Sequence, residues 1–146
     1  MQQRPEAVAL LAPERQPLTY RRLLRQVEET VGWLHPSGIE RGDRVVLVLP
    51  EGPEMAAAFL AVATGTTCAP LNPAYRASEY AAYFAALRPK ALLVASGMDT
   101  PAVAVAKAQG ITVLDVLLHH EAAAAIPAEP ASPVFTGSAT LAFRKP

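Results

Sequence analysis

The sequence has little that would support disulfide bonding, polyanion binding or membrane insertion. Its one cysteine, Cys68, permits no internal disulfide, which fits a reducing compartment. Acidic and basic residues balance at 13 each, so the chain lacks the excess positive charge of nucleic-acid-binding and polybasic membrane-surface proteins. The longest apolar stretch, residues 55–63, is far shorter than the roughly 20 residues that span a bilayer, and the N-terminus has no apolar signal segment. These absences predict a cytoplasmic protein with no nucleic-acid partner and no membrane span.

What the sequence does contain is a strand–helix–strand pattern near its centre. The 146 residues suffice for one compact domain, and 51% of them are hydrophobic, so a sizeable core is available. Residues 45–49 form a continuous apolar run, typical of a strand that is covered on both faces. A helix is predicted to start at Pro53 and to be capped at its C-terminus by Gly65. A second strand follows at residues 67–71, and such units build parallel sheets.

Strand and helix patterns alternate along the rest of the chain up to about residue 117. Further strands are predicted at residues 7–11, 18–20, 90–95 and 111–117. Further helices are predicted from the cap Thr19 to residue 33 or 34, from the cap Ser78 through an apolar stripe of Tyr80, Tyr83, Phe84 and Leu87, and over residues 100–109 with Gly110 as the cap. This alternation predicts a doubly wound α/β fold, with a mostly parallel sheet and helices on both faces.

The character of the sequence changes after residue 118. Residues 121–126 are rich in alanine and could form a short helix, and residues 127–133 have the proline-rich composition of a linker. Residues 135–146 show no recognisable period. We therefore predict one α/β domain over residues 1–118 and a linker with an irregular tail over residues 119–146.

Four segments carry a resemblance to a known family. They are LTYRRL at residues 18–23, GIERGDRV at 38–45, LPEGPEM at 49–55 and CAPLNPAYR at 68–76. In order and spacing they resemble the N-terminal part of the adenylate-forming enzymes, the superfamily of AMP-dependent ligases and acyl-CoA synthetases. The likeness runs from about Glu6 to about Leu117, so it implies that residues 1–118 are the N-terminal α/β subdomain of such an enzyme.

The resemblance also implies a reaction and its cofactors. A complete enzyme of this kind uses ATP and Mg²⁺ to convert a carboxylate into an acyl-adenylate, and then passes the acyl group to the thiol of coenzyme A. The ATP loop, the acyl pocket and the catalytic lysine of the family are expected in sequence beyond Pro146. We therefore assign no catalytic, cofactor-binding or metal-ligating residue to this chain. We expect it to be inactive alone and to have the remainder of the ligase as its partner.

Two segments invite interpretation as the ATP-binding loop. Such loops are rich in Thr, Ser and Gly because small residues let backbone N–H groups approach phosphate oxygens, and a Pro and a Lys follow. Residues 64–67 (TGTT) have this composition, but no Lys follows, so we interpret them as a helix cap that enters a strand. Residues 136–140 (TGSAT) lie nearer the place where the family has its loop. However, residues 141–146 (LAFRKP) depart from the order Gly-x-Pro-Lys-Gly that is expected after it. A disordered or aberrant tail is the alternative interpretation there.

Four other features have both a functional and a structural interpretation. Residues 41–43 (RGD) match an adhesion tripeptide but lie in a turn before a buried strand. Cys68 has no base beside it, so a buried inert thiol is favoured over a nucleophile. His119 and His120 are adjacent and would point apart on a helix, so a shared metal is disfavoured. Asp115 could mimic a phospho-acceptor or simply meet solvent near a strand end.

An alternative function belongs to a different class. The chain could be a stand-alone binding or interaction module that holds a small ligand in the crevice at the carboxyl ends of its strands. Such a module would be a stable monomer or dimer, whereas a piece of a ligase would expose apolar surface and tend to aggregate. Size-exclusion behaviour and dye binding separate the two hypotheses. A third hypothesis, a regulatory partner of a full-length enzyme, has no specific support in the sequence.

Overall fold

The computed structural model describes residues 4–13, 16–119 and 140–144. A small hairpin and a five-stranded sheet account for the strands. The strands are β1 (Val8–Leu10), β2 (Leu18–Thr19), β3 (Arg44–Val48), β4 (Thr67–Pro70), β5 (Ala91–Ala95), β6 (Thr112–His119) and β7 (Thr140–Arg144). The helices are α1 (Tyr20–Leu34), α2 (Pro53–Gly65), α3 (Ala77–Leu87) and α4 (Pro101–Ala108).

The main sheet has the strand order β4-β3-β5-β6-β7. Strands β3 to β6 are parallel to their neighbours, and β7 runs antiparallel to β6. The predicted doubly wound α/β fold is therefore confirmed. No period in residues 135–146 indicated β7, and its pairing with β6 is what orders that short segment into a strand. The division of the chain at residue 118 stays a prediction.

The core has one apolar cluster on each face of the sheet. On the first face, alternate strand residues pack against α1, the turn after it and α2, through Leu34, Ile39, Ala58 and Val62. On the second face, the intervening strand residues pack against α3 and α4, through Tyr80, Phe84, Ala102 and Ala106. Because successive side chains of a strand point to opposite faces, the continuous apolar runs of β3 and β5 supply both clusters.

The starts of two helices show how local hydrogen bonds fix the element boundaries. Thr19 caps α1, as predicted, by accepting a hydrogen bond from Arg22 N–H at 3.4 Å. The prediction that Ser78 caps α3 was wrong, because Arg76 is the capping residue and the helix starts at Ala77. The Glu79 carboxylate closes this end by accepting from Arg76 N–H at 2.8 Å.

Two glycines that were predicted as helix caps have different roles. The C-cap of α4 is Gln109, and Gly110 follows it with φ of +72°, so the glycine ends the helix as the left-handed residue after the cap, where Ile111 N–H bonds Ala106 C=O at 2.9 Å. Gly65 instead is the last residue of α2, and the cap is Thr66 in an extended conformation. A Cβ on Gly65 would lie 2.9 Å from Val31 Cγ2, so the small residue is required by the approach of α1 rather than by backbone conformation.

Candidate functional site

The carboxyl edge of the sheet is the candidate site, because the chain reverses its winding there. After β3 the chain enters α2 on the first face, and after β5, its neighbour in the sheet, it enters α4 on the second face. Two adjacent connections, residues 49–52 and 96–100, therefore leave the sheet in opposite directions. Doubly wound folds bind their ligands in the crevice between such connections. The alternative hypothesis of a binding module depends on this crevice.

Met98 lies in this region and fills apolar space at the end of the sheet. Its half-buried side chain packs against the core clusters of both faces. Its N–H bonds Ala95 C=O at 3.0 Å, which turns the chain back over the strand end. A thioether offers only a weak hydrogen-bond acceptor, so Met98 itself gives a ligand no strong polar contact.

A buried hydrogen-bonded chain joins two connections at the same edge. The Tyr80 ring is fully buried, and its hydroxyl donates to Asn72 C=O at 2.9 Å. Thr100 Oγ1 donates to the Tyr80 hydroxyl at a longer 3.5 Å and accepts from Ala102 N–H at 3.3 Å, which caps α4. Burial raises the pKa of Tyr80, so its hydroxyl stays protonated and able to donate. This chain holds the segment after β4 against the start of α4.

An aromatic stack extends from the buried tyrosine towards solvent. Tyr75 and Tyr83 stack with ring centroids 5.3 Å apart and an interplanar angle of 10°, while Tyr75 meets Tyr80 edge-on at 5.9 Å. A hydrogen bond with Tyr83 raises the pKa of Tyr75. Tyr83 was predicted on the core-facing stripe of α3, but it is 42% exposed and contributes through this stack instead. Tyr75 was missed as an individual residue, although it lies in the quoted CAPLNPAYR segment.

The first candidate phosphate loop is the C-terminal end of α2 and the start of β4. The hydroxyls of Thr64 and Thr66 donate back into the helix, to Leu60 C=O at 2.8 Å and Val62 C=O at 2.9 Å. A helix C-terminus presents carbonyl oxygens and partial negative charge, whereas phosphate requires N–H donors. Residues 64–67 therefore do not fit a phosphate group. Of the second candidate, residues 136–139 lie outside the described residues, and Thr140 begins β7.

The RGD segment at residues 41–43 is an integral part of the amino edge of the sheet. The Asp43 carboxylate accepts from Glu40 N–H and pairs with Lys90 Nζ, each at 2.8 Å. These two contacts lower the pKa of Asp43, with the backbone hydrogen bond as the larger cause. Its carbonyl accepts from Thr67 N–H at 2.9 Å. The aspartate joins the starts of three strands, which is a structural role and leaves the adhesion interpretation without support.

Cys68 occupies the edge strand β4 as a half-buried free thiol. Burial raises its pKa to about 12 from an ordinary value of 9.0. A thiol with this pKa holds almost no nucleophilic thiolate at neutral pH. The geometry thus supports the interpretation of Cys68 as an inert structural residue.

The remaining candidates show no cluster that would bind a metal. Asp115 lies within β6, opposite Val94 of β5, rather than at the strand end. His119 is the last residue of β6, its side chain lies outside the described residues, and so does His120. Over residues 4–13, 16–119 and 140–144, no group of three or more His, Cys, Asp and Glu side chains is placed to hold a metal ion.

None of the helices in the described part of the chain combines the length and the hydropathy that a membrane span requires.

Comparison with known proteins identifies the relatives of this fold. A 65-residue stretch is 40% identical to 4-coumarate–CoA ligase 4 of Arabidopsis thaliana and covers 44% of this chain and 11% of that protein. ATP-bound MatB of Rhodopseudomonas palustris superposes with a TM-score of 0.67 at 24% identity, over 76% of this chain and 22% of MatB. VinN in complex with L-aspartate gives a TM-score of 0.56 at 28% identity, over 66% of this chain and 27% of VinN.

The matched relatives are much longer than this chain, which spans about a tenth of the plant ligase and about a fifth of MatB. The family model described as AMP-binding enzyme matches residues 1–139. This match covers most of the chain and confirms the resemblance to adenylate-forming enzymes that the four sequence segments indicated. The chain therefore belongs to the AMP-binding enzyme family.

Proposed function

We propose that this chain supplies the N-terminal α/β subdomain of an AMP-dependent ligase of the acyl-CoA synthetase type. The complete enzyme would join a carboxylate to the α-phosphate of ATP, releasing pyrophosphate, and would then transfer the acyl group to the thiol of coenzyme A, releasing AMP. The observation that carries the proposal is the family match over residues 1–139. The 40% identity to a protein named as a CoA ligase supports the acyl-CoA branch of the family.

Within that enzyme, the chain acts as a scaffold rather than as the source of reacting groups. Its carboxyl-edge segments are held by buried contacts of Tyr80 and Met98, which give them fixed positions next to the rest of the ligase. The remainder of the ligase is the expected partner, and ATP, Mg²⁺ and coenzyme A are the expected ligands of the whole. No step of the reaction is assigned to a residue of this chain.

We further propose that the chain alone is catalytically inactive. The support is chemical: residues 64–67 present the carbonyl end of α2, which repels phosphate, and the Cys68 thiol is held in its protonated form. The binding-module alternative lacks comparable support, since the half-buried Met98 packs at the crevice on which it depends.

Isothermal titration of the chain with Mg-ATP tests the proposal of inactivity. We expect no heat of binding in the micromolar range, whereas MatB, titrated in parallel, is the positive control because its ATP complex is known. Pyrophosphate release with 4-coumarate and coenzyme A gives a second readout, and no release is expected. Micromolar binding by the chain, or release of pyrophosphate, would contradict the proposal.

A further inference from the structure

The longest stretch of the described chain without a charged residue is residues 55–75, which form most of α2, all of β4 and the turn after it. Eight of these positions are exposed, namely 59, 60, 63, 64, 67, 70, 72 and 74. On α1, by contrast, four of the seven exposed residues are charged. The surface of a soluble domain normally has a charged residue at about a quarter to a third of its positions. An exposed stretch without any charge therefore indicates a surface that another part of a protein covers.

The exposed residues of α2 lie on one side of the helix. The positions 59, 60, 63 and 64 have the spacing of adjacent turns on one helix face, and we call these residues the outer α2 stripe. Phe59 and Leu60 are 38% and 41% exposed, and the Thr64 hydroxyl already donates to Leu60 C=O at 2.8 Å. A surface helix normally has charged residues on its outer face, whereas the one charged residue of α2, Glu54, is buried.

Part of the outer α2 stripe lies on the side of the free edge of the sheet. Ala57 is in one cluster with Leu23 of α1, and Gly65 meets Val31 of α1, so these two residues mark the flank of α2 that faces α1. Phe59 and Ala63 each lie two residues from one of them, which is about 200° around the helix. They therefore lie on the opposite flank. Of the two helices over the first face, α2 is the one that lies against the edge strand β4.

The free edge of β4 offers unpaired backbone groups. Within the described part of the chain, β4 has β3 on one side and no strand on the other. The N–H groups of Thr67 and Leu71 donate to carbonyls of the β3 segment, each at 2.9 Å. Because alternate residues of a strand face the same neighbour, the N–H and C=O of Cys68 point to the free edge. Exposed edges are normally protected by charged residues, bulges or proline, and β4 has only Pro70.

The occupant of this surface is argued from chain length and from residue type. The chain spans about a fifth of MatB and about a tenth of the plant ligase, so most of a complete enzyme is available to cover it. Interfaces between separate proteins usually centre on Trp, Tyr or Arg and have a polar rim. The exposed positions of α2 from residue 59 onward and of β4 hold only Phe, Leu, Ala, Thr and Pro. Such a surface suits a permanent contact within one protein better than a reversible contact between two copies.

We infer that the remainder of the ligase docks on the outer α2 stripe and on the free edge of β4, and that one of its strands pairs with β4 at Cys68. The pairing is short, since Pro70 has no N–H to donate. The inference rests on the proposed function, because it requires a complete ligase. It deepens that proposal by naming the surface through which this chain joins the rest of the enzyme.

A chimera in which residues 4–119 replace the superposed part of MatB tests the docking surface. We expect the unmodified chimera to bind Mg-ATP in isothermal titration. The double variant Phe59→Glu, Leu60→Glu should weaken this binding at least about tenfold, since docking would bury two carboxylates. The matched control Ala82→Glu, Ala86→Glu adds the same charge at exposed positions of α3, on the opposite layer, and should bind as the unmodified chimera does. Equal binding by the two double variants would overturn the inference.

Amide exchange at single residues tests the strand pairing. In the free chain, the Cys68 amide should exchange at least about tenfold faster than the amides of Thr67 and Leu71, which are bonded to the β3 segment. In the chimera, exchange at Cys68 should slow at least about tenfold, and the other two amides should change little. Exchange at Cys68 that is equally fast in both proteins would contradict the pairing.

The free chain provides a test that does not depend on the chimera. It should sediment as a monomer and bind a hydrophobic dye, and the Phe59→Glu, Leu60→Glu variant should lower the dye fluorescence at least about twofold. A dimer that this variant dissociates would assign the surface to a second copy and overturn the inference. Failure of the proposed function is distinguishable: the unmodified chimera would then not bind Mg-ATP, whereas a wrong surface leaves that binding intact in every variant.

Discussion

The position that a Cβ atom would take on Gly65 lies 2.9 Å from Val31 Cγ2. This distance is shorter than carbon atoms in contact tolerate, and the Val31 side chain is β-branched, with little freedom to rotate away. The contact explains why α2 ends in glycine although the helix geometry there does not require one. It also sets how closely α1 approaches the C-terminal end of α2.

Gly65→Ala should destabilise the fold by about 1–3 kcal/mol relative to Gly32→Ala, because the added methyl group overpacks the contact with Val31. Gly32 is the matched control, since it also lies in a helix but has open space around its Cβ position. Urea denaturation measures both free energies of unfolding. In a double-mutant cycle, Val31→Ala should remove most of the penalty at residue 65. Equal stabilities of the two single variants would contradict the steric explanation.

Tyr80→Phe should cost about 1 kcal/mol of stability, because it removes the hydroxyl that donates to Asn72 C=O while keeping the buried ring. Tyr20→Phe, at a side chain that is 56% exposed, should change stability by less than about 0.5 kcal/mol. Chemical denaturation measures the difference. Amide exchange at Tyr75, whose N–H bonds the same carbonyl of Asn72, should accelerate in the Tyr80 variant only. Unchanged exchange at Tyr75 would show that the hydroxyl does not hold this segment.

Asp43→Asn should make the stability of the fold less dependent on pH in the acidic range. Contacts with Glu40 N–H and Lys90 hold the pKa of folded Asp43 below its ordinary value of 3.8. The stabilisation is therefore present above the ordinary pKa and is lost as the pH falls through the lower folded-state value. Thermal unfolding from neutral pH to below pH 3.8 should show a steeper loss in the wild type than in the variant. An equally steep loss of stability in the variant would contradict this account.

Cys68 should react with a thiol reagent only after unfolding. Burial raises its pKa to about 12, so the folded chain should be labelled far more slowly than the same chain in guanidinium at neutral pH. The raised pKa also predicts a stability that is full below about pH 9.0 and falls as the pH rises towards 12, because only the unfolded thiol ionises there. Cys68→Ala should lack this contribution. Rapid labelling of the folded chain would contradict the assignment of Cys68 as an inert residue.

The elements that were predicted correctly are those whose signals lie within a few residues of each other. The apolar run at residues 45–49 fixed β3, and the cap at Thr19 fixed the start of α1, because both depend on local hydrogen bonding and on the two faces of one strand. The start of α3 was placed two residues too late, because a serine is a common cap and the competing carboxylate of Glu79 reaches back over a full turn.

The candidate site was less accessible to sequence reasoning. Asn72, Tyr80 and Thr100 are brought together by the crossing of α3 over the sheet, and Met98 reaches both core clusters because β5 is central in the sheet. The sequence did, however, indicate correctly that residues 64–67 join a helix to a strand. No lysine follows this segment, and the Thr66 and Thr67 N–H groups already bond Val62 C=O and Asp43 C=O, so they do not serve as donors to a phosphate.

By itself, the sequence determined the family, the alternation of strands and helices, and the two-sided burial of the central strands. Each of these depends on short local patterns of apolar residues, prolines and capping residues. Only the tertiary structure decided the role of Gly65, the strand at residues 140–144 and the exposure of Phe59 and Leu60 on the outer side of α2. The physical reason is that these features depend on contacts between residues distant in the chain. Such contacts are fixed by how the layers pack and leave no period in the local sequence.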